Sequence, residues 1–250
     1  MKALVTGASS GIGYEISKYL SKLGYDLIIV ARNEEKLLNL KAELQTNTQI
    51  ILKDLSTQQN CIDLYEEVKN QEIDILVNNA GFGTFGEFVQ TDLQKEINII
   101  DTNITAVHIL TKKFLQDMVE KDKGYILNVS SLASFAPGPL MATYYSTKAY
   151  VTRLTESIHK ELKKKKSSVK ISALCPGPVN TNFNAVAGVE FSIKSLSSEY
   201  VAKYGIDKTL KGKLIIVPGL ANRIIRALAK ITPNKISAEL TYNHQQKKNK

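Results

Sequence analysis

Short, largely apolar runs recur along this chain of 250 residues, and longer stretches with helical spacing separate them. The runs cover residues 3–5, 27–30, 50–52, 75–77, 125–129, 170–174 and 214–217. A strand that faces water on one side alternates apolar with polar residues, whereas these are apolar apart from Asn128, Lys170 and Ser172 and must be covered on both faces. Between the first two runs Ile12, Ile16, Leu20 and Leu23 share one helical face that Gly24 closes, and Leu37, Leu40 and Leu44 form a similar stripe further on. Ser56 with Gln59, and Thr91 with Gln94, predict capping boxes at two later helix starts. Strands joined by helices through right-handed crossovers make a parallel, doubly wound sheet with ligands beyond the strands' carboxyl ends. The expectation is one α/β domain over residues 1–242, with seven parallel strands in the order 3-2-1-4-5-6-7 and helices on both faces.

Composition excludes several classes of function. The net charge is +9, but the basic runs at 163–166 and at Lys247, Lys248 and Lys250 have no aromatic residues between them. A stacking surface for nucleic acid is therefore not expected, and the runs are assigned to a solvated helix end and a flexible polar tail over 243–250. Cys61 and Cys175 have neither metal-ligand nor disulfide spacing, so no metal is expected and a reducing compartment fits. No apolar run approaches the ~20 residues that cross a bilayer. Met1 and Lys2 lead directly into the first strand, which leaves no signal peptide and points to the cytoplasm.

The first strand ends in Thr6-Gly7-Ala8-Ser9-Ser10-Gly11-Ile12-Gly13 and a helix follows at once. Glycines there let the backbone approach a pyrophosphate, which the helix N-terminus stabilises electrostatically. At the end of the second run, Ala31 stands where an NAD site usually has an acid, and Arg32 follows it. A guanidinium pairs well with a ribose 2′-phosphate, so NADP(H) is expected over NAD(H).

With these elements the chain resembles the short-chain dehydrogenase/reductase family, from the first strand to about Gly219. The motifs in order are the glycine loop, Asp54-Leu55, Asn78-Asn79-Ala80-Gly81, Asn103, Ser131, Tyr144 with Lys148, and Pro176-Gly177-Pro178-Val179 with Thr181. The resemblance implies a Rossmann-type fold. It places Asp54 and Leu55 at the adenine and makes Asn79, Ala80 and Gly81 part of an element that stabilises the central sheet beside the cofactor. Pro176, Gly177, Val179 and Thr181 fall on the nicotinamide side. It also assigns catalysis to Asn103, Ser131, Tyr144 and Lys148. Ser10 departs from the cation that many NADP-preferring relatives carry, so Arg32 is expected to act without it. The ending resembles bacterial relatives similar to long-chain 3-oxoacyl reductases, and homodimers or homotetramers are common in the family.

The chemistry follows from the residue types. A hydride moved to a carbonyl leaves an alkoxide that needs a proton, and an unperturbed tyrosine, with a pKa near ~10, is a poor partner near neutrality. Lys148, one helical turn from Tyr144, is expected to favour tyrosinate. By the resemblance Lys148 also binds the nicotinamide ribose and Asn103 supports a water path to it. Ser131 is expected to hydrogen-bond the substrate oxygen, with Ser130 an adjacent candidate. Tyr145 has Ala149 four residues on and so lacks a lysine.

Residues 183–211 fall at the family's substrate lid, where Phe183, Val186, Val189, Phe191, Ile193, Leu196, Tyr200 and Tyr204 make either a hydrophobic or acyl-binding face or packing against the sheet. A C-terminal helix over about 220–231 has three readings: subunit contact, core packing or membrane contact. The leading function is an NADP(H)-dependent carbonyl or 3-oxoacyl reductase. The alternatives are a dinucleotide-binding sensor or scaffold without turnover and an extended-type sugar-nucleotide epimerase. A serine hydrolase is disfavoured because His108, His159 and His244 lack a nucleophile-elbow context.

Overall fold

A computed structural model describes residues 1–181 and 195–246. Its seven parallel strands are β1 (Lys2–Thr6), β2 (Asp26–Ala31), β3 (Thr48–Leu52), β4 (Ile75–Asn78), β5 (Tyr125–Val129), β6 (Lys170–Leu174) and β7 (Ile215–Ile216). They lie in the order β3-β2-β1-β4-β5-β6-β7, the doubly wound arrangement expected. Leu4 pairs with Ile28 on one side and Leu76 on the other, so β1 is central and fully covered.

Alternation along each strand divides the core into two layers. Val5, Ile29, Val77 and Leu127 face one layer, which α1 (Gly11–Lys22) and α2 (Glu34–Glu43) complete with Ile16, Leu20, Leu37 and Leu40. Leu4, Ile28, Leu76 and Ile126 face the other, against α3 (Gln58–Val68) through Cys61 and Leu64. This is why the strands read as largely apolar runs. Gly24, at φ +85°, ends α1, with Tyr25 N–H donating to the Leu20 carbonyl at 3.1 Å.

The expected helix starts are displaced by one residue. Thr57 and Asp92 are the caps, each accepting from the backbone N–H three residues on; Ser56 N–H donates instead to the Asp54 carboxylate, and the Thr91 hydroxyl is taken up by the Phe88 carbonyl and the Glu96 carboxylate. Helix α4 (Leu93–Ile100) runs into α5 (Ala106–Glu120) through a widened π turn, Asp101–Thr105, which no sequence pattern announced. Helix α6 (Ala142–Lys164) follows a 3-10 turn at Leu132–Phe135.

Helix α7 (Ser198–Leu210) buries Val201, Ala202 and Ile206 in the first layer, with Leu196 and Tyr204 packed against it. This half of the 183–211 segment thus packs against the sheet, while Phe183, Val186, Val189, Phe191 and Ile193 lie outside the described residues. The C-terminal helix expected over about 220–231 is α8 (Leu220–Ala229), and a further helix that the sequence did not announce, α9 (Asn234–Gln246), follows it. The tail expected from residue 243 therefore begins as helix, because Gln245 is anchored in the interior. Among the described residues no helix is long and apolar enough to cross a membrane.

Candidate active site

The strands' carboxyl ends open into a cavity of about 1080 Å³. At one end lies the glycine loop. A Cβ on Gly7, at φ +64°, would sit 2.8 Å from the Ala80 Cα, and one on Gly13 would sit 2.4 Å from the Gly7 carbonyl oxygen. The loop therefore requires bare backbone, and it presents the first N–H groups of α1 to the cavity, a cradle that fits a pyrophosphate. Asn79 holds it from the side, its Nδ2 donating to the carbonyls of Thr6 and Gly7 at 3.0 Å each. The Thr6 hydroxyl accepts from Asn79 N–H at 3.0 Å and Ala80 N–H at 3.1 Å. Thr6 is thus a joint between loop and sheet that the sequence reading did not single out. Behind it Asn78 Nδ2 donates to Thr111 and Asn128, a buried polar link between β4 and β5. Thr181 reaches the loop from the other side, with its methyl 2.9 Å from a Cβ position on Gly11.

Ser9, Ser10, Gly11 and Ile12 line the cavity together with Arg32, Asp54, Leu55, Ala80, Gly81, Pro176, Gly177, Val179 and Thr181. The Arg32 guanidinium lies 3.7 Å from Asp54 and is largely exposed, hence available to a ligand anion. It does not stand alone, since Lys36 and Lys53 share that wall. Neither cation was anticipated from the sequence, where Ser10 suggested an isolated arginine.

The other end gathers Tyr144, Lys148, Asn103 and Ser131. Lys148 Nζ donates to the Val129 carbonyl at 2.9 Å and lies 5.8 Å from the centre of the Tyr144 ring. Asn103 is fully buried in the π turn, where its Nδ2 donates to the Phe82 carbonyl and to Thr147, both at 3.0 Å, and its Oδ1 accepts from Phe82 N–H. A Cβ on Gly81 would meet Asn103 Oδ1 at 2.8 Å and Lys148 Nζ at 3.3 Å, so these groups converge. Widened π turns often occur at functional sites, and here the extra residue turns Asn103 inward.

The two serines left open by the sequence separate clearly. Ser130 donates to the Lys148 carbonyl at 2.9 Å and pairs with Thr152 at 2.7 Å, so its hydroxyl is taken up beneath α6. Ser131 caps the 3-10 turn, accepting from Ala133 N–H, and hydrogen-bonds Tyr144.

The electrostatics correct one expectation. Burial pushes the Tyr144 phenol up to about 12 and the Lys148 amine down to about 8. The group that draws Tyr144 back is the Ser131 hydroxyl rather than Lys148.

Tyr145 packs its ring over Gly138 and accepts from Gln245 Nε2 at 2.9 Å. Gln245 is buried on the cavity wall beside Met141 and leaves its Oε1 without a protein partner among the described residues. No sequence signal marked it, because only the return of α9 over the cavity brings it there.

Comparisons with known proteins agree with this geometry. Residues 1–189 match the short chain dehydrogenase family. The 3-oxoacyl-[acyl-carrier-protein] reductase of Rickettsia prowazekii is 34% identical over 180 residues, covering 72% of this chain and 73% of that one. The very-long-chain 3-oxoacyl-CoA reductase-B of Danio rerio is 32% identical over 192 residues, covering 74% and 61%. Among solved structures, a short-chain dehydrogenase from Sphingobium yanoikuyae in complex with NADPH superposes with a TM-score of 0.81 at 25% identity, covering 93% and 96%.

Proposed function

Because the chain belongs to the short-chain dehydrogenase/reductase family of NAD(P)-dependent oxidoreductases, we propose that it is an NADP(H)-linked reductase of hydrophobic carbonyl compounds, with 3-oxoacyl groups as the favoured substrate class. The observation that carries this reading is a single cavity with a bare-backbone anion cradle at one end and Ser131, Tyr144, Lys148 and Asn103 gathered at the other.

When bound, the dinucleotide supplies the hydride for reduction and accepts it for oxidation. Gly7, Ser9, Ser10, Gly11, Ile12 and Gly13 would hold its phosphates, and Asp54 and Leu55 its adenine. Arg32, with Lys36 and Lys53 beside it, favours a 2′-phosphate. Asn79, Ala80, Gly81, Pro176, Gly177, Val179 and Thr181 would border its nicotinamide half.

Tyr144, with its pKa pushed up to about 12, keeps its proton at neutral pH and is suited to donate it to a forming alkoxide. Ser131 orients the substrate oxygen toward that phenol and offers it a hydrogen bond that strengthens as charge develops. Lys148, at about 8, is charged near neutrality and can return a proton to Tyr144 through solvent that Asn103 helps to order. The two 3-oxoacyl reductases similar to this chain support the substrate class.

The test is steady-state turnover of 3-oxoacyl thioesters and bulky ketones with NADPH and NADH, for wild type and Tyr144→Phe. Removing a positioned proton donor should lower kcat at least ~10²-fold. Equal rates for the two proteins would refute the role of Tyr144. Tight cofactor binding with no turnover on any carbonyl would favour a dinucleotide sensor.

A further inference from the structure

Helix α8 is mounted inside out. Leu220, Ile224 and Leu228 lie on one face with Ile231 just beyond its end, and they are 71%, 54%, 53% and 78% exposed. The polar face is the one that packs on the body. Asn222 donates to the Pro218 carbonyl at 2.8 Å and fills the space beside Gly177. Arg223 donates to the Val217 carbonyl and to the Tyr204 hydroxyl, and Arg226 lies 5.1 Å from the centre of the Phe135 ring. A surface helix ordinarily turns its apolar stripe inward. With Ile225, the outward face amounts to roughly 500 Å², close to the largest apolar patch of an entire ordinary monomer. Core packing of this face, one of the readings open at the sequence level, does not occur.

Two observations identify what covers it. First, Ile225, Leu228 and, from α9, Leu240 are exposed and also line the catalytic cavity, so the apolar face continues into the cavity mouth. Second, the exposed Lys230 and Lys235 stand at the end of α8 and the start of α9, and residues 218–238 carry no acid, within a chain of net charge +9. A second copy seated on this face would bring like charges together and cap the mouth. An anionic bilayer complements the charge and presents acyl chains to the opening.

We propose that α8 and the start of α9 form a seat for an anionic lipid surface, with the apolar face at the acyl boundary, Lys230 and Lys235 at headgroup level, and the cavity mouth opening onto the lipid. That the substrate itself comes from the bilayer rests on the carbonyl-reductase reading. The seat does not, and its test reads no turnover.

The full-length protein is co-sedimented with vesicles of phosphatidylcholine, with or without phosphatidylglycerol. Binding is expected on the anionic vesicles, with partitioning weakened at least ~10-fold by the combined Leu220→Ser, Ile224→Ser and Ile231→Ser substitutions, all on outward positions. The pair Lys230→Glu and Lys235→Glu should weaken it by about 10-fold or more and provides an independent arm should the triple variant not fold. Absence of binding, equal binding to neutral vesicles, or binding unchanged in folded variants would overturn the proposal. So would light scattering that shows an oligomer which the triple variant splits into monomers, since that would make a second copy the occupant.

Discussion

Replacing Thr6 by valine tests the joint between loop and sheet with little change of shape. Thr6 is buried at the end of β1, and its hydroxyl accepts from the Asn79 and Ala80 N–H groups at 3.0 and 3.1 Å while donating to the Val77 carbonyl at 3.3 Å. Valine keeps one methyl and replaces the hydroxyl with another, so two half-buried N–H groups lose their acceptor. Each unmet donor costs roughly 1–3 kcal/mol, and about 2–4 kcal/mol is expected for the two because both are partly exposed. In a domain of this size that lowers Tm by roughly 5–12 °C. Thr6→Ser keeps the hydroxyl and loses only a methyl, about 1 kcal/mol. The chain has no tryptophan, so urea unfolding is followed by far-ultraviolet circular dichroism, with the slope required to match wild type. NADPH affinity should fall in the valine variant and hold in the serine variant, since the same contacts fix the glycine loop. A valine variant as stable as the serine variant would refute the argument.

Arg32→Ala should raise the Kd for NADPH by about 10–100-fold, the worth of a charge-assisted hydrogen bond to phosphate, and leave NADH binding nearly unchanged. Titration calorimetry distinguishes this from an equal loss for both cofactors, which would remove Arg32 from 2′-phosphate recognition. Lys148 is held at about 8 against an ordinary 10.5, so between those values the unfolded chain binds the extra proton and stability rises with pH. Tyr144, at about 12 against 10.0, acts in the opposite sense, and its contribution falls only above pH 10. Between pH 8 and 9.5 wild type should therefore gain about 2 kcal/mol relative to Lys148→Met in urea unfolding. A difference independent of pH across that window would show that Lys148 is not desolvated as described.

The sheet was legible because its signal is local. A strand covered on both faces presents apolar residues to both layers, so Leu4 and Val5 serve opposite layers while reading as one run. The glycine loop was legible for a related reason: Gly7 and Gly13 sit where any side chain would strike backbone, and the sequence shows that requirement directly. Less legible was the choice between Ser130 and Ser131, adjacent hydroxyls that differ only in which one α6 takes up. The helix caps shifted by one residue because Ser56 was already engaged with Asp54 and Thr91 with Glu96.

By itself, then, the sequence determined the doubly wound sheet, the bare-backbone glycine loop and the order of the chemical groups along the chain, all of which depend on residues close together in sequence. The tertiary structure alone decided what depends on distant segments meeting. It turned Asn103 inward through a π turn, set Lys36 and Lys53 beside Arg32, and aimed Lys148 at a carbonyl. It also carried Gln245 to the cavity wall and turned the apolar face of α8 outward. A 3.6-residue periodicity shows that a helix has an apolar side but not which side meets the body. That is settled by the contacts available to both faces, and here Gly177, the Val217 carbonyl and the Phe135 ring drew in the polar one.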